Sequence, residues 1–81
     1  MATKQQIEDA WNRAATIRGE DPAVWRRDEL GHKCRRGSYG THGEFGWEID
    51  HRHPVARGGT DHGRNLRILH TPSNRRKSDK Y

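Results

Sequence analysis

Trp47-Glu48-Ile49-Asp50-His51-Arg52-His53-Pro54 is the stretch on which the reading of this chain turns. An extended pattern runs from Phe45 to His51, and within it apolar and polar residues alternate, so as a strand Trp47 and Ile49 take one face and Glu48 and Asp50 the other. Asp50 and His51 close the strand, and their adjacent side chains leave on opposite faces. Pro54 and Gly58-Gly59 then make residues 52–64 a loop. Leu66-Arg67-Ile68-Leu69 reads as a second strand with Leu66 and Ile68 on one face. Thr71-Pro72 marks a helix start, Thr71 as N-cap and Pro72 in the first helical position, where its missing N–H costs nothing. That helix, over about 72–79, carries Arg75, Arg76 and Lys77. The C-terminal half is therefore strand, long loop, strand, helix.

Upstream, Thr3-Lys4-Gln5-Gln6 has the pattern of a capping box. Ile7, Ala10, Trp11, Ala14 and Ile17 recur at helical spacing, which predicts a helix over residues 4–18 anchored by Trp11 and ended at Gly19. Val24–Asp28 and Lys33–Arg36 flank Leu30-Gly31-His32 and predict a hairpin. Gly37, Gly40, Gly43 and Gly46 make residues 37–46 a loop. His32, His42 and His62 fall in turns and are expected to be solvated. The fold class expected is α+β in a single domain over residues 1–81.

Composition bounds what such a chain does. Of 81 residues, 28% are hydrophobic and 33% charged, so the core is small and its stability rests on the few large side chains, Trp11, Trp25 and Trp47 among them. No apolar run approaches the roughly 20 residues of a membrane span, and Met1–Gln6 lacks the apolar stretch of an export signal; the expectation is a cytoplasmic protein with no membrane partner. Cys34 is the one cysteine, which excludes an internal disulfide and any zinc module built on cysteine pairs. Charge is uneven. Residues 1–50 hold eight basic and nine acidic side chains, whereas residues 51–81 hold eight basic and two acidic. The positive field of the second part is of the kind that attracts phosphate backbones.

Asn65 opens the second strand and Asn74 lies in the first turn of the final helix. A hairpin packed against that helix brings Asp50 and Asn74 together, with His51 pointing across the same cleft. Ile49-Asp50-His51-Arg52-His53-Pro54-Val55, Gly58-Gly59-Thr60-Asp61, Asn65-Leu66 and Asn74-Arg75-Arg76-Lys77, in that order, closely resemble the HNH endonucleases, also called ββα-metal or His-Me finger nucleases. The resemblance covers about residues 47–80, and Ser73–Asp79 is especially similar to the HNH domain of RNA-guided CRISPR effector nucleases. On that resemblance, residues 47–80 are the ββα-metal core and residues 1–46 its N-terminal helix, hairpin and glycine-rich loop.

The resemblance implies a role for each matching residue. Asp50 corresponds to a metal ligand, His51 to the general base, Asn65 to the residue that ties the loop ends and orients the histidine, and Asn74 to the second metal ligand. Many relatives carry His at the last of these positions and some a further His where Ser78 stands. One carboxylate and one amide oxygen suit a single Mg²⁺ or Mn²⁺ that keeps water and takes substrate phosphate oxygens. Arg52, His53, Arg57, Arg67, His70, Arg75, Arg76 and Lys77 are the expected nucleic-acid contacts; His53 doubles as a loop support, His70 as a packing residue, and the Arg75–Lys77 run as a solvated helix face. The implied activity is metal-dependent hydrolysis of DNA, nicking or cutting both strands with weak sequence specificity, and leaving 5′-phosphate and 3′-hydroxyl ends. RNA as substrate, a homodimer, and a subunit of a larger phage or restriction complex stay open, as does a non-catalytic nucleic-acid-binding module on the same fold.

Overall fold

A computed structural model of the chain describes residues 2–78, with side chains through residue 74. Helix α1 (Lys4–Arg13) is followed by three short strands, β1 (Ala15–Thr16), β2 (Trp25–Arg27) and β3 (Lys33–Arg35). Strands β4 (Trp47–His51) and β5 (Leu66–His70) form a second ribbon, and helix α2 (Thr71–Ser78) continues directly from it. The fold is α+β, with antiparallel strands ordered β1-β2-β3 in one sheet and β4-β5 in the other.

The start of α1 forms as its sequence dictates. Thr3 Oγ1 accepts from the Gln6 N–H at 3.1 Å and the Gln6 side chain accepts from the Thr3 N–H at 2.8 Å, the reciprocal capping box. Its end does not. The helix stops at Arg13 rather than near residue 18, with Ala14 already extended at ψ 154°. Two competing interactions stop it. Ala15 and Thr16 pair with Arg27 and Arg26 in the sheet, and the Arg26 guanidinium donates to the carbonyls of Asn12 and Ala14 at 3.0 Å each, so a side chain takes up carbonyls that a further turn would have used. Gly19 is left-handed at φ 83°, but in the turn between β1 and β2 rather than as a helix cap.

Trp47 is fully buried and Trp11 nearly so, their rings 5.1 Å apart, with Tyr39 set edge-on to Trp47 at 4.9 Å. Ala10, Cys34 and Ile68 complete this core, so it joins α1, β3, β4 and β5. Each buried indole N–H has a carbonyl acceptor, Pro22 for Trp11 and Arg35 for Trp47. Burial pushes the Cys34 thiol up to about 12, assisted by the nearby Asp28 charge, so Cys34 is a protonated core residue at neutral pH. Asp28 is 3% exposed and accepts N–H bonds from Leu30, His32 and His70, which fastens the β2–β3 turn to the end of β5. Thr71 is buried too, but its hydroxyl has no hydrogen-bond partner among the described residues, so the side-chain cap expected of it is not made. Instead the Thr71 N–H donates to the Gly46 carbonyl at 2.8 Å and sets where α2 departs from the ribbon.

Candidate active site

The β4–β5 register pairs Asp50 with Arg67 and His51 with Leu66, so both candidate residues sit where the ribbon opens into the loop over residues 52–64. Asn65 closes that loop. Its Oδ1 accepts from the His53 N–H at 2.8 Å, and its Nδ2 donates to the carbonyls of His53 at 3.0 Å and Thr60 at 2.6 Å. Its own carbonyl accepts from the Arg52 N–H at 2.8 Å. One side chain thus ties both ends of the loop. The loop folds back tightly enough that a Cβ at Gly59 would lie 1.8 Å from the His53 carbonyl oxygen, so glycine is required there on steric grounds.

His51 Nε2 lies 2.7 Å from Asp61 Oδ1. Both residues line a cleft of about 470 Å³ together with Thr3, Gln6 and Tyr39. On the other face of β4, Asp50 Oδ2 accepts from Arg67 Nε at 2.9 Å. Arg67 also donates to Glu29 at 3.2 Å, and Arg52 reaches the same carboxylate through Nε at 2.8 Å and through Nη2. The Arg52 hydrogen bonds hold the Glu29 carboxyl below its usual range; partial burial opposes this and Arg67 reinforces it. Asn74 donates Nδ2 to Glu48 Oε1 at 3.1 Å. A carboxylate only accepts, so this bond fixes the amide orientation and turns Asn74 Oδ1 away from Glu48.

Among the described residues, no group of three or more His, Cys, Asp or Glu side chains is placed to hold a metal ion. A cation here would rest on few protein oxygens and complete its shell with water or phosphate, the habit of Mg²⁺. Asp50 and Asn74 suit that ion in kind. Arg67 occupies one carboxylate oxygen and Glu48 the amide nitrogen, and each side chain keeps one further oxygen without a hydrogen-bond partner among the described residues.

Other expected contacts fall differently. His70 is 9% exposed; its N–H goes to Asp28, its Nδ1 pairs with Ser73 Oγ and its Nε2 with the Glu44 carbonyl, the contacts of a packing residue. His32 is not a solvated turn residue: it stacks on His70 with ring centroids 5.1 Å apart and faces Asp28. His53 Nε2 meets the Arg57 carbonyl at 2.7 Å, the loop-support role. Arg52 and Arg67 are held by Glu29 and Asp50, and Arg57 is exposed. The side chains of Arg75, Arg76 and Lys77 lie outside the described residues. Asp28, Glu29, Glu48 and Asp61 were not singled out by the sequence. Only two carried a signal: Glu48 shares the Asp50 face of β4, and Asp61 closes the Gly-Gly-Thr-Asp run.

No described helix is long and apolar enough to cross a membrane. Comparison with curated proteins and with solved structures returns no match. The family model described as HNH endonuclease matches residues 34–80, more than half of the chain and the whole of the β4-loop-β5-α2 unit described here. Proteins of that family are generally nucleases and usually work with a divalent metal ion. On that match, this chain belongs to the HNH endonuclease family.

Proposed function

We infer that the chain is a metal-dependent endonuclease that hydrolyses DNA phosphodiester bonds, with His51 as general base and Asp50 and Asn74 as the ligands of one Mg²⁺ or Mn²⁺. The observation that carries this reading is His51, held by Asp61 in the lining of a cleft and on the strand that also bears Asp50 and the Glu48–Asn74 contact. Phosphodiesters resist hydrolysis because their charge repels nucleophiles and their alkoxide leaves poorly. A neutral His51 that takes a proton from attacking water lowers that barrier by the equivalent of about 10²–10⁴ in rate. When bound, a divalent cation supplies positive charge for the phosphate and the departing oxygen. Asp50 and Asn74 offer it hard oxygen donors, and Asn65 keeps the loop from spreading. Arg57 and the basic run of α2 supply charge for the flanking phosphates, contacts that position the duplex without reading its sequence. The test is a supercoiled plasmid incubated with the purified chain. Conversion to nicked and linear forms in Mg²⁺ or Mn²⁺, stopped by chelator, is the expected result; an intact plasmid in both metals contradicts the reading.

A further inference from the structure

The pairing of His51 Nε2 with Asp61 Oδ1 at 2.7 Å has no evident structural purpose. The Asp61 side chain is 78% exposed and that of His51 32%, and ion pairs this open add little to stability. What the contact does fix is the ring. A carboxylate can only accept, so a neutral His51 carries its proton on Nε2 and presents the Nδ1 lone pair. Asp61 is itself held: Asn65 Nδ2 donates to the carbonyl of Thr60, the preceding residue, and the same side chain binds both backbone groups of His53, two residues after His51. The described hydrogen bonds of the Asn65 side chain go to His53 and Thr60 rather than to the His51 ring, so its grip reaches the ring through Thr60 and Asp61.

We propose that Asp61 is the positioning residue of the general base, fixing His51 in the Nε2–H form so that Nδ1 faces the attacking water. The inference rests on the nuclease reading and deepens it. In the step itself, the water oxygen bonds to phosphorus as the bond from phosphorus to the leaving oxygen breaks. The water proton passes to Nδ1, and the imidazolium so formed keeps its Nε2–H on Asp61. Solvent protonates the leaving oxygen and later takes the proton from Nδ1.

Two measurements on wild type, Asp61→Ala and Asp61→Glu decide it. Long-range ¹H–¹⁵N spectra of the imidazole, at a pH where the ring is neutral, should show His51 as the Nε2–H tautomer in wild type and as a mixture in Asp61→Ala. Cleavage by Asp61→Ala should fall about tenfold or more, part of what a general base contributes, with DNA affinity and Tm unchanged, and Asp61→Glu should recover part of the loss. A wild-type proton on Nδ1, or an Asp61→Ala variant that cuts at the wild-type rate or faster, overturns the proposal. A wild-type chain that cuts no DNA with either metal overturns the nuclease reading and the catalytic role with it. A mixed wild-type tautomer in an active enzyme overturns the Asp61 assignment alone.

Discussion

Glu29 lies on the β2–β3 turn yet holds two arginines of the ribbon, Arg52 and Arg67, and through Arg67 it stands one contact away from Asp50. The Arg52 hydrogen bonds, reinforced by Arg67, depress its carboxyl below the ordinary 4.5. A depressed carboxyl contributes stability that is present above its unfolded value and lost as pH falls through the folded one. Wild type should therefore lose Tm faster than Glu29→Gln as pH drops below 4.5, measured by thermal melts from neutral to acid; parallel curves would contradict the assignment. Glu29 also shows why parts of the site were not legible. Asp50, His51, Asn65 and Asn74 sit in an ordered local pattern with strand and helix signals around them. Glu29 lies 23 and 38 residues from its two partners, and no spacing rule links a turn residue to arginines so distant. Asp61 is the intermediate case: it closes the Gly58-Gly59-Thr60-Asp61 run, but only the folded loop brings it to His51.

At the scale of elements, the two sheets are fastened by Asp28, whose carboxylate accepts from Leu30, His32 and His70. Asp28→Ala leaves those N–H groups without their acceptor and should cost about 2–4 kcal/mol, read by denaturant unfolding. A loss no greater than that of an exposed Asp9→Ala control would contradict this role. The C-terminal strands and the start of α2 lie close to where the sequence predicts them because alternation, Pro72 and the loop glycines all agree there; residue 79, the expected helix end, lies outside the described residues. Helix α1 is five residues shorter than its periodicity predicts, since the spacing at Ala14 and Ile17 carries no trace of the sheet pairing and the Arg26 contacts that end it. The reading of α2 against β4 makes a joint prediction. Mn²⁺ titration followed by electron paramagnetic resonance should show weakened binding in both Asp50→Ala and Asn74→Ala, by about tenfold or more. Binding that neither substitution changes would remove these residues as ligands.

For the whole molecule, the positive excess of residues 51–81 is smaller in effect than its count. Arg52 and Arg67 are already paired with Glu29 and Asp50, which among the described side chains of residues 51–74 leaves Arg57 and Arg64 as the exposed basic groups that the proposed function would set against phosphate. For the proposed nuclease, so small a surface would favour backbone contact over sequence reading. The central claim is that one imidazole on this scaffold activates the water. Its most direct test is the single-turnover cleavage rate of an end-labelled duplex by wild type and His51→Ala in saturating Mg²⁺, with duplex affinity measured on the same preparations. The expected rate is about 10²–10⁴-fold lower in His51→Ala at unchanged affinity. A His51→Ala variant that cuts at the wild-type rate would contradict it.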